Sequence, residues 1–569
     1  MPKPSKKKQH ISNLKKERIH KLLNIGMGFH KSQQVQLAED AYRKVIQYDP
    51  LNFRALYLLG ILFSECGNHK DGAEFMKMAL EVNPGYSLAH NDMGVILQQL
   101  GDVKGAMECY KKALELNGTF SEAQNNLGVA FGQKGNAKKA MEYYKKAIEI
   151  DPYYFDAHNN YIFALDLSED ETVQSLIEER KRWSTIHEEP LLAKHKPHKN
   201  ELTTDRKLRV GYVSADFRLH SASFVFGSVL EFYDKDKFEV HCYNNSNTKP
   251  DARTIFFKGA VDSWTDIFGW SDDDVATKIR QDKIDILVDL SGYSAGSRLL
   301  TFARKPAPIQ ACGWGYATST GMKSMDYFFA DNVIVPPEER DLYVENVIYL
   351  PNVVNHYCPE KKPDVGPLPA LTKGVITFAS FNRLAKISDE SYAVWAEVLK
   401  QVPNSRMLFK INESDPTAAK EHIIEIFKGN GIPEDRLHFF GKTTWTQHME
   451  SFNHVDIALD PWVHTGGLTT VDNLVMGVPV ITLRWPTIVG RLSASMLTTM
   501  GMTDWIAETK EEYIKLAVDK ASDLSKLAEV RAGLRDKFYA TPLGDCAGYC
   551  KAVEVEYIKM WEKYVADKT

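Results

Sequence analysis

The chain has 569 residues, enough for two to four domains, and its 44% apolar and 25% charged residues are ordinary globular chemistry. A formal net charge of −5 gives no electrostatic footprint for nucleic acid, and no apolar run is long enough to span a membrane. Seven scattered cysteines, odd in number and without a CxxC pair, exclude a disulfide framework or zinc ribbon and predict reduced thiols in a cytoplasmic protein. Cys546 and Cys550, four apart, are expected as two thiols on one helix.

Residues 1–20 (MPKPSKKKQHISNLKKERIH) are basic and lack an apolar signal core, and read as a disordered tail. The chain then repeats. Pro50, Pro84, Gly118 and Pro152 fall 34 residues apart, as do Gly26, Gly60, Gly94 and Gly128, and Ala55, Ala89, Ala123 and Ala157. Gly67, Gly101 and Gly135 mark a turn inside successive units. Small residues at fixed places in a 34-residue helix–turn–helix are what two closely packed helices demand, and the pattern is that of the tetratricopeptide repeat. The array, with capping helices, is expected over 21–193 as a superhelix with a concave face. Asn91, Asn125 and Asn159, beside Asn126 and Asn160, also keep the 34-residue interval. Side-chain amides along a groove suit the backbone of an extended acceptor peptide; the alternative is that they tie helices together.

A polar segment, 194–207, forms a boundary, and then strand and helix patterns alternate. Strands are predicted over 208–214, 238–244 and 284–290, with helices over 224–233 and 272–282. After a proline-rich linker at 363–372 the alternation resumes, with strands over 375–381, 406–411, 436–440, 455–459 and 478–483. Helices are expected over 390–402, 418–430, 511–523, 524–538 and 548–565. Alternation of this kind implies parallel sheets with right-handed crossovers. The fold class is therefore α + α/β: a TPR superhelix followed by two Rossmann-like domains, 205–365 and 373–540, and a C-terminal helix over 541–569.

The most telling stretch is His464–Pro479 (HTGGLTTVDNLVMGVP), between two predicted strands. Gly466 and Gly467 open the backbone, and Thr469 and Thr470 are placed to cap a helix whose first turn carries Asp472. Unpaired N–H groups at a helix start suit a phosphate. Ligands of parallel sheets sit at the strand carboxyl ends, where VSADFRLHS (213–221) offers His220 and FNRLAKI (381–387) offers Lys386. DLSGY (289–293) is read as a further turn with exposed backbone, and Arg491 and Ser493 as opening the helix after 478–483. Asp272, Asp273 and Asp274 read as a helix cap with solvated neighbours, not a metal site.

Together GYVSADFRLHS, RKPAPIQACGWGY (304–316), FASFNRLAKI and GGLTTVDNLVMGVPV resemble the protein O-glycosyltransferase family of O-GlcNAc transferases and SPINDLY-type O-fucosyltransferases. The resemblance covers nearly the whole chain, and the small number of repeats looks like a bacterial member. It implies a GT-B fold, a nucleotide-sugar donor, inversion at the anomeric carbon and no required metal or other cofactor. By the same resemblance His220 and Lys386 are the catalytic pair, His220 as base or acceptor-positioning group and Lys386 on the diphosphate. Thr469 and Thr470 lie in the phosphate turn, Asp472 on the ribose and His448 near the nucleobase. Arg383, Gly466, Gly467 and Leu468 complete the expected donor site. Animal O-GlcNAc enzymes carry histidine and threonine where this chain has Gly467 and Leu468, and glutamine where it has Arg383.

The resulting expectation is transfer of a sugar, with UDP-GlcNAc the favoured donor, to Ser/Thr of intracellular proteins held by the repeats. GDP-fucose or UDP-glucose as donor is the alternative, and a scaffold with an inactive transferase half is the alternative of another class. No nucleic-acid partner is expected.

Overall fold

The computed structural model describes residues 6–316, 318–355, 361–411 and 416–569, and the chain forms two compact units, Met1–Ala157 and His158–Thr569. Cys358 lies outside the described residues.

The first unit consists of antiparallel helix pairs: Phe53–Glu65 with His69–Val82, Ser87–Gln99 with Val103–Leu116, and Ser121–Gln133 with Ala137–Ile150. The turn between helices needs a left-handed residue, and Gly67, Gly101 and Gly135 supply it at φ of 78°, 85° and 76°. The first pair, Lys6–Lys31 with Val35–Tyr48, turns instead at Gln33, with φ of 58°. After each glycine an Asn or Asp caps the second helix. Asp102 accepts from the Gly105 N–H at 2.8 Å and Asn136 from the Lys139 N–H at 3.0 Å. The glycine column 26, 94, 128 has a packing reason: a Cβ there would stand 2.5, 2.5 and 2.6 Å from the rings of Tyr42, Tyr110 and Tyr144.

The basic N-terminal segment is not a disordered tail where it is described: Lys6 onward is helix. Lys, Gln and Glu favour helix, and Ile19, Leu22 and buried Leu23 anchor its later turns against Tyr42 and Val45.

The second unit holds two parallel sheets. The first comprises β1 Leu208–Ser214, β2 Phe238–Asn244, β3 Ser263–Asp266, β4 Ile286–Asp289, β5 Ile309–Cys312, β6 Tyr327–Ala330 and β7 Asn346–Tyr349, in spatial order β3-β2-β1-β4-β5-β6-β7. The other comprises β8 Thr377–Ser380, β9 Arg406–Lys410, β10 Leu437–Phe440, β11 Ile457–Leu459, β12 Val480–Leu483 and β13 Ile506–Ala507, in order β10-β9-β8-β11-β12-β13. Each order reverses once, between β1 and β4 and between β8 and β11. Those two switch points are where a doubly wound sheet opens a crevice for a ligand.

Two segments lie elsewhere than the sequence suggests. Residues 158–193, expected to cap the repeats, belong to the second unit. Asp166 accepts from both Arg180 (2.8 Å) and the Tyr316 hydroxyl, and Glu188 accepts from the Lys323 and Ser324 N–H groups at 2.9 and 2.6 Å. The C-terminal helix, Cys546–Lys568, completes the core of the first sheet. Tyr557 hydrogen-bonds Tyr212 at 3.0 Å, Tyr549 accepts from Trp314 at 2.6 Å, and the Trp561 indole donates to the Thr203 carbonyl at 2.9 Å. Cys546 and Cys550 are free thiols on this helix, Cys550 buried.

Trp561 is 1% exposed. Trp561→Ala should therefore cost about 3–5 kcal/mol and lower the unfolding midpoint of this unit, read by thermal or urea unfolding. Wild-type unfolding in that variant would show that the helix is not part of the core.

Candidate active site

Asp460, immediately after β11, organises the second sheet's switch point. Its Oδ1 accepts from the Gly466 N–H at 2.9 Å and from the Asn382 amide, which follows β8, at 3.2 Å. Its Oδ2 accepts from Thr482 on β12 at 3.0 Å. Burial lifts the Asp460 carboxyl to about 6, against hydrogen bonds from Ser493, Gly466 and Thr482 and the nearby Lys386 charge.

The glycine turn folds on this carboxylate. A Cβ on Gly466 would overlap Thr470 Oγ1 and press on Asp460 Oδ1, whereas one on Gly467 would meet nothing within 4 Å. The helix that follows is Leu468–Val475, with Gly467 at its N-cap and no capping side chain. Thr469 and Thr470 therefore sit in the first turn and are not caps, and Asp472 falls in the second turn, not the first. Thr470 Oγ1 lies 2.8 Å from Ser493 Oγ, which donates to the Gly466 carbonyl at 3.0 Å. Ser493 is thus a prop under the turn. The helix start keeps its first N–H groups and the positive end of its dipole for an anion.

Lys386, in a short 3-10 turn after β8, reaches the same place: its ammonium donates to the Thr465 carbonyl at 3.1 Å. Burial, and then Arg383, pull it down to about 7, with Asp460 opposing. Arg383 itself is exposed. On the far side of the helix start, His448 lies between Lys410 (Nζ to Nδ1, 2.7 Å) and Asp472 (Nε2 to Oδ2, 3.8 Å). Burial raises the Asp472 carboxyl, and the His448 contact opposes the shift. Lys410 also donates to Thr443 at 2.9 Å.

In the first sheet, His220 lies in the loop after β1, and its Nδ1 is 3.3 Å from Asp216 Oδ2. The Ala222 N–H donates to the same nitrogen at 3.4 Å, and Asp216 is itself paired with Arg218 at 3.2 Å. Burial lowers the His220 pKa; Asp216 opposes, while Arg218 and Arg383 add to the lowering. Arg383 belongs to the other sheet, so its charge is felt across the cleft. The lowered pKa favours the neutral imidazole.

Three expected features lie elsewhere. Asp289 takes up the DLSGY turn, accepting from Ser291 at 3.2 Å and Gly292 at 2.7 Å, so that backbone is satisfied internally. Arg491 opens the helix Leu492–Thr499, pairs with Glu339 at 2.7 and 2.6 Å and donates to the Ile334 carbonyl, joining the two α/β domains. Asp272 pairs with Arg298 and Asp273 with Arg304 at the start of helix Asp272–Gln281.

In the repeat unit the asparagine ladder holds helices together. Asn126 donates to Asn91 at 3.0 Å and Asn91 to Asp92 at 3.3 Å, while Asp92 accepts from the Tyr57 hydroxyl at 2.6 Å. Asn125 donates to Asn126 at 3.4 Å. In the second unit Asn159 accepts from the Trp183 indole at 2.8 Å. Asn91, Asn125 and Asn159 are buried, so they do not line an open groove; Asn126 and Asn160 are half-buried.

The sequence reading passed over Asp460, Asn382, Asp216 and Lys410. Asp460 closes VDIALD and Asp216 stands four residues before His220, so both had a local signal. Lys410 had none, because its partner is 38 residues away.

Two parallel sheets with facing switch points, one carrying a side-chain-free helix start and a lysine, the other a neutral histidine, define the GT-B glycosyltransferase architecture. The chain belongs to glycosyl transferase family 41, whose profile matches residues 175–357 and 368–553, with tetratricopeptide repeat profiles over 23–87, 94–135 and 121–154. A barley (Hordeum vulgare) protein named "Probable UDP-N-acetylglucosamine--peptide N-acetylglucosaminyltransferase SPINDLY" is 36% identical over 66% of this chain and 40% of its own length. An Arabidopsis thaliana protein with the same enzyme name, SEC, is 32% identical over 63% of this chain and 37% of its own. The chain thus spans about two fifths of the curated relatives it matches. A solved O-GlcNAc transferase mutant from Thermobaculum terrenum aligns over 98% of this chain and 99% of its own, at 29% identity and a TM-score of 0.75.

The two glycines should respond differently to alanine. Gly466→Ala should destabilise the second unit by about 1–3 kcal/mol, read as a lower melting temperature, while Gly467→Ala should melt like wild type. Equal melting of both variants would contradict the packing described here.

Proposed function

We propose that the chain transfers a sugar from a nucleotide sugar to serine or threonine hydroxyls of proteins, with inversion and without a metal. The carrying observation is the convergence of Lys386 and the uncapped helix start at Gly467 on one switch point, with the neighbouring Arg383 within electrostatic reach of His220. UDP-GlcNAc is the favoured donor, since the named relatives from barley and Arabidopsis and the Thermobaculum terrenum structure carry that activity in their names. Acceptor recognition is assigned to the repeat unit.

The acceptor hydroxyl attacks the anomeric carbon opposite the leaving diphosphate, and the bond from that carbon to the phosphate oxygen breaks as the new C–O bond forms. Charge developing on the diphosphate is met by Lys386 and the N–H groups of residues 468–470, each worth about 2–4 kcal/mol in the transition state. The hydroxyl proton passes to the imidazole of His220, whose lowered pKa favours the neutral ring. A phosphate oxygen of the donor is the competing base. Asp472 holds the ribose hydroxyls, and His448 lies against the base.

Incubation with UDP-GlcNAc, GDP-fucose or UDP-glucose and a protein lysate, followed by intact-mass analysis, reads the added sugar directly. HexNAc addition is expected; deoxyhexose or hexose addition would reassign the donor. Absence of both transfer and donor hydrolysis with every nucleotide sugar would overturn the reading. Lys386→Ala should reduce turnover by about 10²–10³-fold.

The low Lys386 pKa also sets a pH dependence. A diphosphate favours the ammonium form, which the free protein holds fully below about pH 7 and loses above it. Nucleoside-diphosphate affinity should therefore fall by up to about tenfold per pH unit above neutrality, with proton uptake in calorimetry. A flat profile would remove Lys386 from the diphosphate.

A further inference from the structure

His464 stands in the Asp460–Gly467 segment, between the carboxylate that organises the switch point and the glycines that open it, and no role above uses it. Its ring is placed by a rare backbone turn. Val463 is β-branched yet has φ of 62°, and the His464 N–H closes on the Trp462 carbonyl at 2.6 Å. The turn is held from outside by Thr487, whose hydroxyl donates to the Val463 carbonyl at 3.3 Å, and by Trp462, which is 1% exposed.

Among the described residues neither ring nitrogen of His464 has a hydrogen-bond partner, and Nδ1 is sealed from solvent while the residue as a whole is half-buried. Buried orphan N–H groups are rarer than orphan acceptors, so the enclosed Nδ1 carries the lone pair and the proton sits on Nε2, the nitrogen that solvent reaches. Burial and the positive charges of Lys386 and Arg383 keep the ring neutral. Three donor groups thus share one corner of the cleft: an ammonium, a guanidinium and an imidazole N–H. Their common complement is an acceptor oxygen on a group bearing negative charge.

We infer that His464 binds the donor, its Nε2–H donating to an oxygen at the junction of the transferred sugar and the diphosphate. The inference rests on the glycosyl-transfer reading above and adds to it a contact on the reacting side of the nucleotide, away from the His448 and Asp472 end.

The test is calorimetric binding of UMP, UDP and UDP-GlcNAc, or their guanosine and fucose counterparts if the mass assay selects them, to wild type, His464→Ala and His464→Gln. For His464→Ala, monophosphate affinity should stay within about twofold of wild type while nucleotide-sugar affinity falls about tenfold or more. If a β-phosphate oxygen is the acceptor, UDP weakens in step; if a sugar hydroxyl is, UDP holds. His464→Gln, which keeps an N–H donor, should recover part of the loss. Unchanged nucleotide-sugar affinity in both variants would overturn the inference and leave the functional reading standing. Equal loss for the monophosphate would overturn it too, marking a collapsed loop. A wild-type protein that binds no nucleotide would instead fail the functional reading, and this inference with it.

Discussion

A single buried carboxylate fixes the geometry of the donor half. Asp460 gathers the Gly466 N–H, the Asn382 amide and the Thr482 hydroxyl, and so ties β8, β11 and β12 to the turn that faces the cleft. Because it is buried, each partner counts: losing one would leave charge uncompensated at a cost of about 1–3 kcal/mol or more. Its field also opposes the burial that lowers Lys386, and so keeps that amine near the border between charged and neutral. The open helix start is therefore set by what lies beneath it as much as by the groups that face the cleft.

The two sheets divide the chemistry by sign. Around Lys386 and the helix start, an ammonium, a guanidinium and uncapped N–H groups stand over the buried Asp460 carboxylate. Around His220, burial, Arg218 and Arg383 favour the neutral ring, and Asp216, itself paired with Arg218, opposes them. In the proposed reaction a leaving diphosphate and an arriving hydroxyl need opposite treatment, and the two switch points would supply it from opposite sheets. Arg491, paired with Glu339, links the two domains that carry them.

Much of this was legible in the sequence because the physics is local. The 34-residue columns name the turn glycines, and β1, β2 and β9 are runs whose burial their composition announces. The glycine pair at 466–467 marks the uncapped helix start for the same reason. What escaped depends mostly on distance. Strands β3, β5, β6, β7 and β13 were also missed, although β4, β8, β10 and β12, at four residues each, are no longer than β3, β5, β6 or β7. Asn91 and Asn125 look like groove residues because an amide column reads alike whether it faces a ligand or its neighbours. The helices at 173–192 resemble a cap until Asp166, Arg180 and Tyr316 are seen to form one buried cluster.

The return of the last helix to the first sheet bears on how the molecule is made. Tyr212 and Tyr557 are partners separated by 345 positions. As the polypeptide leaves the ribosome, the repeats can fold from neighbouring contacts alone, and the sheet of β8–β13 has all its strands by residue 507. The earlier sheet, begun first, must wait with an uncovered apolar face until residues 546–561 emerge. The histidine-bearing half is thus the last to mature, completed only when the end of the helix Cys546–Lys568 reaches it.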